Sequence, residues 1–200
     1  MGIALRVVVG LLVAAGALSG CSDDSKTTDP PASQTPEPTS ASTPTPTPTP
    51  SADPKAKAVA AAKARYLSAV AARTRAVQNP GRATETRLVA GGVADPWLGF
   101  VLDTIAFYQQ NKLYETGAFK VTSMHEIKVV LSGEQPEVQF DVCGDNRSVQ
   151  VRYAATGKAA ERAQGTKLAP RFRATVRYAA ATSRPGKNWY VAINEVVGSC

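Results

Sequence analysis

Histidine is almost missing from this 200-residue chain, and His125 is the single copy. Three cysteines stand far apart, at 21, 143 and 200. No Cys/His set with metal-ligand spacing can be drawn from these residues. His125-Glu126 opens like a zinc-protease helix, but Val129 stands where the second histidine is required. A metal site is therefore not expected. Also lacking are a phosphate-binding glycine loop, a dinucleotide glycine pattern and a Ser-nucleophile turn. No cofactor is expected. The N-terminal apolar run, Val7 to Ala17, makes only about 16 Å of helix, too short for a hydrocarbon core of about 30 Å. Carboxylates are scarce in the C-terminal three quarters: residues 54–200 carry 21 Lys/Arg against 11 Asp/Glu, a net +10. Residues 22–53 carry the opposite sign, with Lys26 against five carboxylates.

What is present at the N-terminus is a targeting pattern. Arg6 precedes the apolar run, and the run ends in Leu18-Ser19-Gly20-Cys21. Its length suits the apolar region of a secretory signal. The four residues resemble the bacterial lipobox, a branched residue and two small ones before a cysteine. That resemblance implies cleavage before Cys21 and attachment of diacylglycerol to its sulfur. Two or three acyl chains suffice for stable anchoring, where one does not. The expectation is a signal over 1–20 and a lipoprotein at the outer face of the cell membrane. Nucleic acid is not an expected partner there.

Residues 22–53 hold eight Pro, eight Thr and six Ser and no Val, Ile, Leu or aromatic side chain. Such a tract has nothing to offset the entropy of ordering. Its Thr-Pro repeat favours extended polyproline conformation, reaching at most about 100 Å at about 3.1 Å per residue. Lipid-anchored residues 21–53 thus read as a disordered stalk, with Ser and Thr density that permits O-glycosylation. The remaining span, 54–200, has the size of a single domain.

Within that span, Asp53-Pro54 is a helix start, and Val59, Ala62, Tyr66, Val70 and Val77 form a stripe at helical spacing. Asn79-Pro80-Gly81 stops this helix at about residue 78. Lys57, Arg65 and Arg75 lie off the stripe and read as a solvated face. Residues 82–89 read as a short helix or a loop, broken by Gly91-Gly92. Asp95-Pro96 repeats the start signal for a helix ending near Lys112, with Trp97, Val101, Ile105 and Tyr108 as its stripe. After Gly117 the period becomes two. Val121, Ser123, His125, Ile127, Val129 and Leu131 fall on one strand face. Further strands are expected at 138–143, 149–153, 172–178 and from Trp189 to Val197, with turns at 133–136, 145–146 and 184–187. Helices followed by strands joined through turns predict an α+β domain. Its mostly antiparallel sheet of four to five strands curves around the N-terminal helices like a cone.

This layout resembles the nuclear-transport-factor-two-like fold, also called ketosteroid-isomerase-like or cystatin-like. The elements carrying the resemblance are the helix 54–78, the helix 96–112 and the strands ending in Asn188-Trp189-Tyr190-Val191. Cys143 on a strand and a terminal Cys200 are similar to many small exported actinobacterial proteins of this fold. It hosts isomerases, cyclases, dehydratases and non-catalytic binders, so function does not follow from it. With Cys21 lipidated, Cys143 and Cys200 remain as a pair in an oxidising compartment, and a disulfide is expected. In phase, His125 points into the cone with Val121, and Tyr66 and Tyr108 are candidate cavity residues. Asp141 alternates out of phase with Phe140 and Val142 and points outward. Arg152, Arg171, Arg173 and Arg177 fall on the outer sheet face as a candidate anion-binding row, for an envelope polymer, lipid surface or protein partner. The preferred reading is a non-catalytic binding domain on a stalk. The rival is an enzyme acting on a small molecule inside the cone: a polar pocket holding His125 with a second ionisable group would favour it, and a cone filled with side chains would favour the binding domain.

Overall fold

The computed structural model describes residues 53–181 and 184–200, and the described residues fall in one compact unit. The signal, Cys21 and almost all of the Pro/Ser/Thr tract lie outside them. Helix α1 (Pro54–Gln78) starts where the Asp53 side chain accepts the Lys55 N–H at 3.0 Å, with Pro54 at the first helical position. Alanine-rich, it buries Ala62, Tyr66, Ala69, Val70, Ala76 and Val77 along one side. Pro80 follows, where a missing N–H cannot continue the helix. After one 3₁₀ turn, α2 (Glu85–Gly91) is capped by the Thr84 hydroxyl, which accepts the Arg87 N–H. It ends at Gly92, whose φ of +111° is open to glycine. Helix α3 (Trp97–Gln110) buries Trp97, Leu98, Val101, Ile105 and Tyr108. Asp95 does not cap it: Pro96 occupies the cap position without a side-chain bond.

Six strands follow: β1 (Leu113–Thr116), β2 (Lys120–Val130), β3 (Glu137–Asp145), β4 (Gln150–Tyr153), β5 (Pro170–Ala181) and β6 (Arg184–Ser199). Four of them form an antiparallel sheet in the order β2-β3-β5-β6. β1 pairs with β4 in a separate two-stranded sheet. The class is α+β, as expected, but the strands divide into two sheets. In β3, Val138, Phe140 and Val142 are buried and lie opposite Val176, Ala174 and Phe172 of β5. These two rows meet the stripes of α1 and α3 in one hydrophobic core. The alternate residues form the outer face: Glu137, Gln139, Asp141 and Cys143 opposite Arg177, Thr175, Arg173 and Arg171.

The even alternation expected for β2 fails. Register shifts between Val121 and Ser123, and again between Glu126 and Lys128, reverse the phase twice. Each adds an unpaired residue, which turns the next side chains to the other face. Val121, Met124 and Val129 therefore pack on the core, while His125 and Ile127 are exposed. The turn expected at 184–187 lies instead inside β6, as an irregularity containing Gly186 at φ +82°, and residues 182–183 lie outside the description. Cys143 and Cys200 are bridged with their Cα atoms 5.9 Å apart, tying the C-terminus to β3 across the end of β5.

Candidate functional site

Beside the packed core, the fold leaves a space that opens to solvent on one side. A cavity of about 1280 Å³ runs between α3, the small sheet, the loop that precedes β5, and β6. Its walls are mostly apolar, with Trp97, Phe107, Leu113, Phe119, Val151 and Phe172 among them. Gly144 packs against the Phe119 ring so closely that any side chain there would collide with it. Phe119 in turn meets Phe172 edge to face at 5.5 Å.

One charged pair sits in this apolar wall. Arg73 of α1 donates from Nη1 to Glu115 Oε2 at 3.2 Å and from Nη2 to Oε1 at 3.1 Å. The Tyr108 hydroxyl donates to the same Oε1 at 3.0 Å. Three elements thus converge on one carboxylate, and all three side chains line the cavity. Glu115 is only 6% exposed, so its charge is held by the planar guanidinium fork rather than by water. Burial pushes the Tyr108 phenol well above its ordinary range, and the Glu115 charge and hydrogen bond push it further, with Arg73 opposing. Both Glu115 oxygens are engaged, and Tyr108 stays protonated at neutral pH.

The expected cavity residues divide. Tyr108 is in the wall. Tyr66 is fully buried and donates to Asn194 Oδ1 at 3.1 Å, so it supports a cavity residue rather than lining the space. Burial raises its phenol pKa, against a smaller lowering by Asn194. His125 is not in the cone: the β2 register shifts place it exposed on the outer face, opposite Asp141. Arg73 and Glu115 are absent from the sequence-based expectations. The signal for Arg73 is legible nonetheless, since it follows Tyr66 by seven residues and Val70 by three, in phase with the apolar stripe. Glu115 gives no such signal, because β1 is four residues long and precedes the glycine at which strand periodicity begins.

The arginine row is partly as expected. Arg171, Arg173 and Arg177 share the outer face of the large sheet, but each lies near a carboxylate. Arg171 holds Asp141, with Nε to Oδ1 at 2.9 Å, and Arg177 Nε reaches Glu137 Oε2 at 3.1 Å. The Arg171 hydrogen bond holds the Asp141 carboxyl below its usual range. Arg173 stands opposite Asp141 on β3 and Glu195 on β6. Arg152 does not join the row: it lies on β4, donating to Thr116 Oγ1, the Gly157 carbonyl and Gln150 Oε1. Arg65 is also no solvated side chain. It donates to the Trp189 and Ala90 carbonyls and stacks over the Tyr190 ring at 5.2 Å. Among the described residues, no group of three or more His, Cys, Asp or Glu is placed to hold a metal ion, and no helix is long and apolar enough to cross a membrane.

No family model and no curated protein matches this chain. Among solved structures, it is similar to the crystal structure of the intermembrane space region of the chloroplast protein ARC6, at a TM-score of 0.45 and 13% identity. That match covers 69% of this chain and 95% of that one.

Proposed function

We propose that this chain is a lipid-anchored extracytoplasmic protein whose folded unit holds a small, mostly apolar molecule in its cone without transforming it. The anchor rests on the Leu18-Ser19-Gly20-Cys21 register, and the stalk on the composition of residues 22–53. The nuclear-transport-factor-two-like assignment rests on two helices laid against an antiparallel sheet. The observation that carries the binding reading is the open, apolar-walled cavity whose charged pair is mutually neutralised. Pockets for drug-sized ligands occupy about 300–1,000 Å³, so this space suits a ligand at or above that size.

The same pairing argues against the enzymatic rival. A general base needs a free lone pair near the proton it takes. Glu115 commits three of its roughly four lone-pair sites to Arg73 and Tyr108, leaving one on Oε2 beside the guanidinium, and His125 is on the far side of the sheet. Native mass spectrometry of protein extracted gently from membranes tests the reading. A bound molecule should be present, and Ala160→Trp, which fills the cavity from its loop side, should remove it without unfolding the unit. An empty wild-type cavity, or a bound molecule that is chemically converted on incubation, refutes it. The anchor is tested separately: the processed protein should partition into detergent, and Cys21→Ala should release or mis-process it.

A further inference from the structure

The cavity mouth carries exposed apolar side chains that the interior does not need. Phe100 and Phe107, seven residues apart on α3, border the cavity yet are 67% and 54% exposed. Trp97, on the same helix, is buried. Across the mouth, Val196 of β6 is 54% exposed and also borders the cavity. Leu168, in the loop preceding β5, is 45% exposed beside Lys167, which with Val196 lines a smaller adjoining hollow. Single exposed apolar residues are ordinary, whereas several around one opening mark an interaction surface.

We infer that this rim docks on the surface of an anionic phospholipid bilayer, so that the cavity takes its ligand, a lipid, directly from the membrane. The inference rests on the cavity being a ligand site and deepens that reading. Three observations favour a bilayer over another occupant. Rim and cavity are continuous, so an acyl chain passes from the bilayer to the apolar walls without crossing water. Of the charged residues that line the opening and the adjoining hollow, Arg162 and Lys167 stand with Glu161 and Glu195, so the attraction to an anionic surface is that of the whole unit, at net +10, rather than of a local excess. Arg162 is held there by its bond to the Val149 carbonyl at 2.9 Å, and Lys167 by Ser199 Oγ at 3.2 Å. Each cation near an anionic leaflet contributes modestly and within a Debye length. Finally, the chain outside the described residues attaches at the N-terminus of α1, about 30 Å along the helix from Arg73. A stalk spanning up to about 100 Å lets the unit turn its mouth to the membrane, and tethering raises the effective concentration of a weak contact.

The test uses residues 22–200, which keep the whole described unit and its core and carry no lipid. Sedimentation with vesicles of phosphatidylglycerol and phosphatidylcholine should carry the protein down at low salt, and pure phosphatidylcholine should carry down less. Phe100→Ser with Phe107→Ser should weaken binding by about tenfold or more, since interfacial affinity scales with the apolar area inserted. Ile127→Ser with Leu131→Ser, exposed apolar residues of the β2 region that do not line the cavity, should leave it unchanged. Both pairs should melt like the wild type. Equal losses from the two pairs, or no loss from the phenylalanine pair, overturn the inference. So does a dimer in sedimentation equilibrium that the phenylalanine pair abolishes, because a second copy would then cover the rim. An apolar fluorescent probe, anilinonaphthalene sulfonate, separates the two readings. If the probe binds in a manner blocked by Ala160→Trp and vesicles do not, the rim alone fails. If the probe does not bind, the cavity reading fails with it.

Discussion

The Arg73–Glu115–Tyr108 arrangement is sensitive to a single substitution. Glu115→Gln keeps the volume and one acceptor but removes the charge that pairs Arg73. A fully buried pair broken from one side costs about 3–5 kcal/mol, because the other charge is left uncompensated. Here the Glu115 side chain is 7% exposed but Arg73 is 28% exposed toward the cavity, where water can solvate the guanidinium. The expected loss is therefore nearer about 2 kcal/mol, close to that of one buried group left unsatisfied. For a unit of this size that lowers the melting temperature by about 4–8 °C. Urea unfolding measures the free energy directly, through a lower midpoint at unchanged slope.

Two further readouts separate pairing from packing. The Glu115 charge helps to raise the Tyr108 phenol, so Glu115→Gln should bring it down toward its ordinary range. The freed Arg73 also makes the cavity cationic, so an anionic apolar probe should bind more tightly to Glu115→Gln than to wild type. Arg73→Met with Glu115→Leu should recover much of the lost stability, since an apolar pair of similar volume often matches a buried ion pair. A Glu115→Gln variant as stable as wild type, with an unmoved Tyr108 titration, would refute the claim that these three groups form one unit.

Reducing the Cys143–Cys200 bridge should cost up to about 4 kcal/mol in the chain-entropy model for a closure of this length, and non-reducing mass spectrometry should find neither thiol open to alkylation. Tyr66 and Tyr108 titrate above the ordinary 10.0 in the fold, so their contribution is fully present below about pH 10 and is lost as pH rises beyond it. Phenolate absorbance should accordingly show two tyrosines that ionise only with unfolding. Arg171→Gln, Arg173→Gln and Arg177→Gln together should weaken retention on an acidic polymer no more than Gln at Lys57, Lys63 and Arg75. The row faces its own carboxylates, and salt-gradient elution of both triple variants measures the difference.

Much of this architecture is legible in the residues because local signals and burial agree. The Asp53-Pro54 start, the α1 stripe, the alternation in β3 and the Gly92 stop all act through neighbours a few positions away. Where the reading fails, non-local pairing intervenes. The strict alternation in β2 is broken by two register shifts that exist only because β3 lies alongside, and they move His125 from the inside to the outside. Arg152 alternates like the outer arginines, but β4 leaves the large sheet to pair with β1, so alternation along the strand says nothing about which sheet it serves. The apolar phase of α1 contains Arg73, which is informative in hindsight: a cation there needs a carboxylate partner, though the stripe cannot say that it is Glu115.

That partner also decides what the cavity is suited to do. An unpaired Arg73 would present a fixed cation to any ligand and favour anionic head groups drawn deep into the cone. An unpaired Glu115 would be a desolvated carboxylate with a raised proton affinity, the starting point for acid–base chemistry. With both present, and Tyr108 closing the remaining contact on Oε1, neither tendency is expressed, and the wall behaves toward a ligand as a neutral surface with a few residual donors. Selectivity must then come from shape, apolar area and whatever polar group meets the mouth. The charges that stay available to a ligand are those near the mouth, Arg162 and Lys167 with Glu161 and Glu195, rather than those of the interior. A molecule with an apolar body and a polar end therefore fits with the body in the cone and the end at the rim, and for an anionic end Glu115→Gln should disturb that orientation by offering an unpaired cation inside.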